Sequence, residues 1–218
     1  VTTLPAMREP VNGLMHGVAA LCAIVPLTLL VTTASSMGKP VHALAFAIFG
    51  ISMVAAYLAS AAYHLVTGPD ARIAFLRRVD HLAIFLLIGG TYSPFCLIPL
   101  RDGYGLWLFA AVWAIGITGI VVKLFYPHAR RSIGVVLYLA MGWVGLPFGV
   151  TALETMEFGA WAWLLGGGVV YSIGGVVYAL KRPNMWPGVF GFHELWHVFA
   201  LAGSACHFVV MWRYLLHA

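Results

Sequence analysis

Charge is what this chain has least of. Its 218 residues include only 12 Lys and Arg and 7 Asp and Glu, 9% in all, where a soluble domain carries about 25%. So little charge excludes a water-soluble globular domain. Cysteine is nearly as scarce. Cys22, Cys96 and Cys206 all fall inside apolar stretches, where they behave as small apolar residues, and their spacing suggests neither a disulfide framework nor a cysteine-based metal site. Long polar linkers are missing too, which leaves no room for a soluble partner module or a separate catalytic head. A single integral membrane domain over residues 1–218 is expected. The first apolar stretch is long and lacks a basic leader with a small-residue cleavage site, so no removable signal peptide is expected.

What the chain has is 62% apolar residues. A helix needs about 20 of them to cross a hydrocarbon core of roughly 30 Å. Windows of that length place seven spans, near residues 13–34, 41–66, 80–100, 104–125, 133–153, 160–180 and 193–215. Barrel strands would alternate apolar and polar residues in segments of about ten; these runs do not. The expected fold is therefore all-α, a seven-transmembrane helix bundle. Glycines cluster at Gly145 and Gly149, Gly166–Gly168 and Gly174–Gly175, where they let helices approach closely in lipid. Pro26, Pro94 and Pro147 fall within spans and are expected to kink them.

The basic residues are unevenly shared between the two sides. The N-terminus and the loops after spans 2, 4 and 6 carry Arg8, Arg72, Arg77, Arg78, Lys123, Arg130, Arg131, Lys181 and Arg182, whereas the other side holds Lys39, Arg101 and Arg213. The positive-inside rule then puts the N-terminus in the cytoplasm and the C-terminus outside. The net charge of +5 needs no nucleic acid, and these residues suit anionic lipid headgroups. Nothing in the pattern specifies an oligomeric state.

That topology gathers polar residues at one leaflet. Span 2 ends Ser60-Ala61-Ala62-Tyr63-His64, span 3 begins Asp80-His81, and span 7 begins His193-Glu194-Leu195-Trp196-His197. His193 and His197 project from one helix face, roughly 6 Å apart along the axis. Ionisable side chains in a bilayer are costly and mark function. Three neutral imidazoles with one open position form the tetrahedral arrangement of a catalytic zinc. Asp80 is then the candidate to hold a water or act as general base, and Ser60 to donate to an oxyanion or orient a ligand. Residues 193–197 also satisfy H-E-x-x-H, the signature of a metalloprotease in which Glu194 would be the base.

Ser60-x-x-x-His64, Asp80-His81-Leu82-Ala83-Ile84-Phe85 running on to Gly90-Thr91-Tyr92-Ser93-Pro94, and His193-x-x-x-His197 with His207 ten residues on together resemble the hemolysin III family. This is the bacterial branch of the progestin and adiponectin receptor (PAQR) family, related to alkaline ceramidases. The similarity extends from Asn12-x-x-x-His16 to His207. It implies a multi-pass protein of the cell membrane, a bacterial inner or plasma membrane, with seven helices and an intramembrane Zn2+. It also implies His64, His193 and His197 as ligands, with Asp80 and Ser60 as the accompanying polar pair. Hydrolysis of a lipid amide or ester is the activity it implies, with membrane lipid as substrate or ligand. Two other readings stay open: a non-catalytic lipid receptor or membrane-homeostasis sensor braced by a structural zinc, and an intramembrane H-E-x-x-H protease.

The remaining histidines read differently. His16 sits near the same end of span 1, where contact with the site and a structural hydrogen bond are both open. His81 lies about 100° around the helix from Asp80 and is expected to be structural. His207 is roughly 15 Å along the helix from His197, too far to share its metal. His42, His128 and His217 are expected in loops or at the terminus, in water. Tyr63 and Trp196 are expected as packing or interface aromatics.

Overall fold

The computed structural model describes residues 7–125, 131–148 and 154–218. His128, Arg130, Gly149 and the end of the fifth expected span lie outside them. Among the described residues seven α-helices follow one another: α1 (Pro10–Ser36), α2 (Pro40–Leu65), α3 (Asp70–Leu97), α4 (Gly105–Phe125), α5 (Arg131–Trp143), α6 (Phe158–Leu180) and α7 (Phe192–Val210). One π-turn, Met211–Leu215, prolongs α7, and a short 3₁₀ segment, Leu146–Phe148, follows α5. No strand longer than an isolated bridge between Trp186 and Phe190 occurs among the described residues. Among the described residues five helices, α1, α2, α4, α6 and α7 with its extension, are long and apolar enough to cross a membrane.

Proline starts the first two helices, Pro10 and Pro40 taking the opening position where a missing N–H costs nothing. Two helices depart from the apolar windows. Helix α3 begins at Asp70, ten residues before its expected span, because the polar turn with Arg72, Arg77 and Arg78 needs only helix-forming residues and water, not lipid. Helix α5 stops at Trp143. Pro147 does not kink a continuous helix but sits in the 3₁₀ segment beyond that stop, since proline disfavours the α-conformation in the residue before it. Pro26 and Pro94 do lie inside helices.

The helices pack in a ring in chain order, and α7 closes it against α1. Helix α3 is also in contact with α5 and with the π-turn, so more than one of its faces looks inward. The side chains of Phe46, Phe49 and Met53 on α2, Leu30 on α1 and Leu87 on α3 form one buried cluster, and Phe85, Val112, Met141 and Trp161 form a second. The outside is apolar as well: Leu21, Val25, Leu58, Trp107 and Phe125 are all exposed, the surface expected where lipid replaces water. Gly167 and Gly174, one heptad apart on α6, allow α7 to come close. A methyl group at Gly167 would stand 2.6 Å from the His207 ring, and one at Gly174 would stand 3.0 Å from Trp196.

Candidate metal centre

Helix ends create the centre. His64 occupies the last turn of α2, while His193 and His197 occupy the first turns of α7. One nitrogen from each of the three imidazoles lies within 4.8 Å of the other two. The ring centroids are 4.9 Å apart for His64 and His193, 5.0 Å for His64 and His197, and 4.8 Å for His193 and His197. His64 and His197 are buried, and His64 Nε2 and His197 Nδ1 have no hydrogen-bond partner. A buried polar atom without a partner costs about 1–3 kcal/mol. Converging imidazole nitrogens, some of them unpaired and dry, are what a metal ion would satisfy, and an all-imidazole donor set suits zinc. The three residues therefore fit the ion that the sequence pattern implied.

A residue that sequence reasoning passed over stands against this cluster. Glu9 Oε2 lies 2.5 Å from His64 Nδ1, and the Glu9 backbone N–H donates to the His64 carbonyl at 3.0 Å. Its neighbour Arg8 donates to the Tyr63 carbonyl at 2.5 Å and lies 4.2 Å over the Tyr63 ring. The only signal was a lone acid just before Pro10, and its partner is 55 residues away. Tyr63, expected as a packing aromatic, is thus the platform for Arg8.

Glu194 is occupied elsewhere. Its Oε2 accepts the Gly191 N–H at 2.8 Å, closing the first turn of its own helix, and its Oε1 accepts from Asn12 Nδ2 at 2.6 Å. Both oxygens thus tie α7 to itself and to α1.

Ser60 sits one turn below His64, buried, with its hydroxyl lacking a hydrogen bond of regular geometry. Asp80 is its neighbour on α3, close enough to interact. Both line an internal cavity of about 610 Å³, together with His193 and His197. The cavity continues past Tyr171 to His207, whose Nε2 donates to the Leu164 carbonyl at 3.2 Å. His207 lies further along α7, at the far part of the cavity from the triad.

His16 joins the cluster. Its ring stacks on His197 at 3.9 Å, and neither ring nitrogen has a hydrogen-bond partner, so of the two roles open to it the structure provides contact with the site. His81 also lines the cavity, although it was expected on another face, because α3 is enclosed on several sides. His42 lies in the first turn of α2 rather than in a loop, with Nε2 3.2 Å from the Ala218 carbonyl. His217 is exposed.

Fold and site together define a multi-pass helical membrane protein with a largely buried three-histidine cluster beside a cavity among the helices. The chain belongs to the haemolysin-III family: the family model described as "Haemolysin-III related" matches residues 5–208. It is 34% identical to "Hemolysin-3" of Bacillus cereus, over 96% of this chain and 92% of that protein. It is 33% identical to the "Hemolysin-3 homolog" of Bacillus subtilis (strain 168), over 92% and 91%. A more distant similarity, 25% over 75% of this chain and 40% of the relative, links it to the "Adiponectin receptor protein" of Drosophila melanogaster.

Proposed function

We propose that this protein is an intramembrane zinc hydrolase of the hemolysin III type, cleaving an amide or ester bond of a membrane lipid at the cytoplasmic leaflet. The observation that carries the reading is the convergence of three imidazoles, two of which, His193 and His197, line a cavity that Ser60 and Asp80 also line. His64, His193 and His197 would hold the ion, which when bound would supply Lewis acidity to a carbonyl and to water. The other tasks fall to the chain. Asp80 takes a proton from the attacking water and returns it to the leaving amine or alcohol as the acyl bond breaks. Ser60 donates its hydroxyl to the carbonyl oxygen as charge builds there. The cavity accommodates the acyl chain and keeps bulk water from the reacting carbonyl.

Orientation belongs to the same proposal. With nine of the twelve Lys and Arg on the side of the triad, that side is cytoplasmic, the chain crosses the membrane seven times within one domain, and its C-terminus is outside. A protease of the H-E-x-x-H type is disfavoured, because both Glu194 oxygens are held in structural hydrogen bonds. One second reading has support. Similarity to a protein named as a receptor, and a cavity able to hold lipid without turning it over, fit a sensor whose helices the ion braces.

The test is to incubate purified protein with total membrane lipid and follow amide- and ester-linked species and free fatty acid by mass spectrometry. Fatty acid release that stops when metal is removed supports the hydrolase. Zinc-dependent lipid binding without turnover supports the sensor instead.

A further inference from the structure

Of the residues around the triad, Glu9 is tied to a candidate ligand most directly. We propose that Glu9 is a positioning residue that selects which nitrogen of His64 faces the metal, an inference that rests on the metal reading above. A neutral imidazole carries its proton on one nitrogen and a lone pair on the other, and only the lone pair can bind a metal. With its carboxylate 2.5 Å from Nδ1, Glu9 keeps the proton there. Nε2, buried and without a partner, is left as the lone pair. Metal-binding histidines commonly donate their other N–H to a carboxylate, which fixes both tautomer and ring orientation and makes the ligand nitrogen more basic.

Glu9 is itself held in place. Its second oxygen, Oε1, lies 3.6 Å from Arg8 Nη2, and that guanidinium is anchored by the Tyr63 carbonyl and ring. The Glu9 N–H is bound to the His64 carbonyl, one of the end-of-helix acceptors that α2 cannot satisfy internally. Residues 8–9 thus form a short strap across the last turn of α2, and its consequence for chemistry is the state of one imidazole. Two other roles are distinguishable from this one: a strap that only secures the helix end, and a carboxylate that itself ligates the ion.

The experiment titrates metal-free protein with Zn2+ against a competing chelator, for wild type, Glu9→Ala, Glu9→Gln and Arg8→Ala. Thermal unfolding of each metal-free form and the visible spectrum of each Co2+-loaded form are recorded alongside. Glu9→Ala is expected to weaken zinc binding by about 10- to 100-fold, with little change in metal-free stability. Glu9→Gln should recover much of the affinity, because its amide oxygen still accepts from Nδ1–H, and its Co2+ spectrum should keep the wild-type coordination number. Arg8→Ala should show a smaller loss of affinity. The proposal is overturned if Glu9→Ala binds zinc as wild type does. It is also overturned if Glu9→Gln is no better than Glu9→Ala while the Co2+ spectrum reports a lost ligand, or if the metal-free protein loses stability in step with affinity. Wild type that binds no metal overturns the metal reading and this proposal together, whereas unchanged affinity in Glu9→Ala overturns this proposal alone.

Discussion

Two acids near the triad have opposite surroundings, and that contrast decides the residue-scale expectations. Asp80 lines the cavity beside Ser60, whereas Glu194 spends its oxygens on the Gly191 N–H and the Asn12 amide. In the hydrolase reading, Asp80→Asn should keep zinc but lower lipid turnover by about 10²- to 10⁴-fold, since an amide cannot accept the proton. Glu194→Gln should retain turnover and cost no more than about 1 kcal/mol in stability, as one of two hydrogen bonds is weakened. Turnover kinetics with zinc content measured on the same samples checks both, and the reverse order would point to the H-E-x-x-H chemistry. The histidines were legible in sequence because a spacing of four residues puts two rings on one helix face. Glu9 was not, because it precedes α1 and its partner is distant in the chain, and hydrogen-bond partners across such a separation leave no periodic trace. His16 was legible only as a polar residue at the right depth; its stacking on His197 depends on how α1 and α7 close the ring.

At the scale of helices, length was readable wherever lipid sets it. Helices α1, α2, α4, α6 and α7 lie close to the expected spans, since an apolar run is the whole requirement. The beginning of α3 was not readable, because a polar helical turn outside the hydrocarbon has no hydropathy signal. The end of α5 was obscured by apolar residues continuing through Leu146 and Pro147 beyond the helix stop at Trp143. Close approach of α6 and α7 rests on small residues, and it gives a direct expectation. Gly167→Val would push against His207 and Cys206 and should destabilise the fold by about 1–3 kcal/mol, read as a lowered Tm in detergent. Gly166→Ala, next to it but facing open space, should leave Tm within experimental scatter or raise it slightly. Equal effects at the two positions would contradict the packing account.

For the whole molecule, one question is which side of the membrane holds the triad. The nine-to-three division of basic residues predicts that a reporter fused after Ala218 is non-cytoplasmic, while a tag inserted at Gly68, in the α2–α3 connection, is cytoplasmic. A cytoplasmic reporter after Ala218 would mean an even number of crossings or an inverted orientation, and either would remove the leaflet assignment. At that opposite end, Lys39 donates to the Ala218 carbonyl at 2.6 Å, so a reporter there needs a flexible linker to leave the packing intact.

The central claim is that three histidines from two helices hold one metal ion, and elemental analysis of purified protein tests it most directly. Wild type should carry about one zinc per chain, the number that a single three-imidazole site accommodates. The His64→Ala, His197→Ala double variant should carry almost none and unfold at a lower temperature, because an ion that binds only the folded state stabilises it. His207→Ala, altered further along α7 from the triad, should keep its zinc. Full zinc occupancy in the double variant, or a wild type that holds no metal after purification in zinc-containing buffer, would contradict the account.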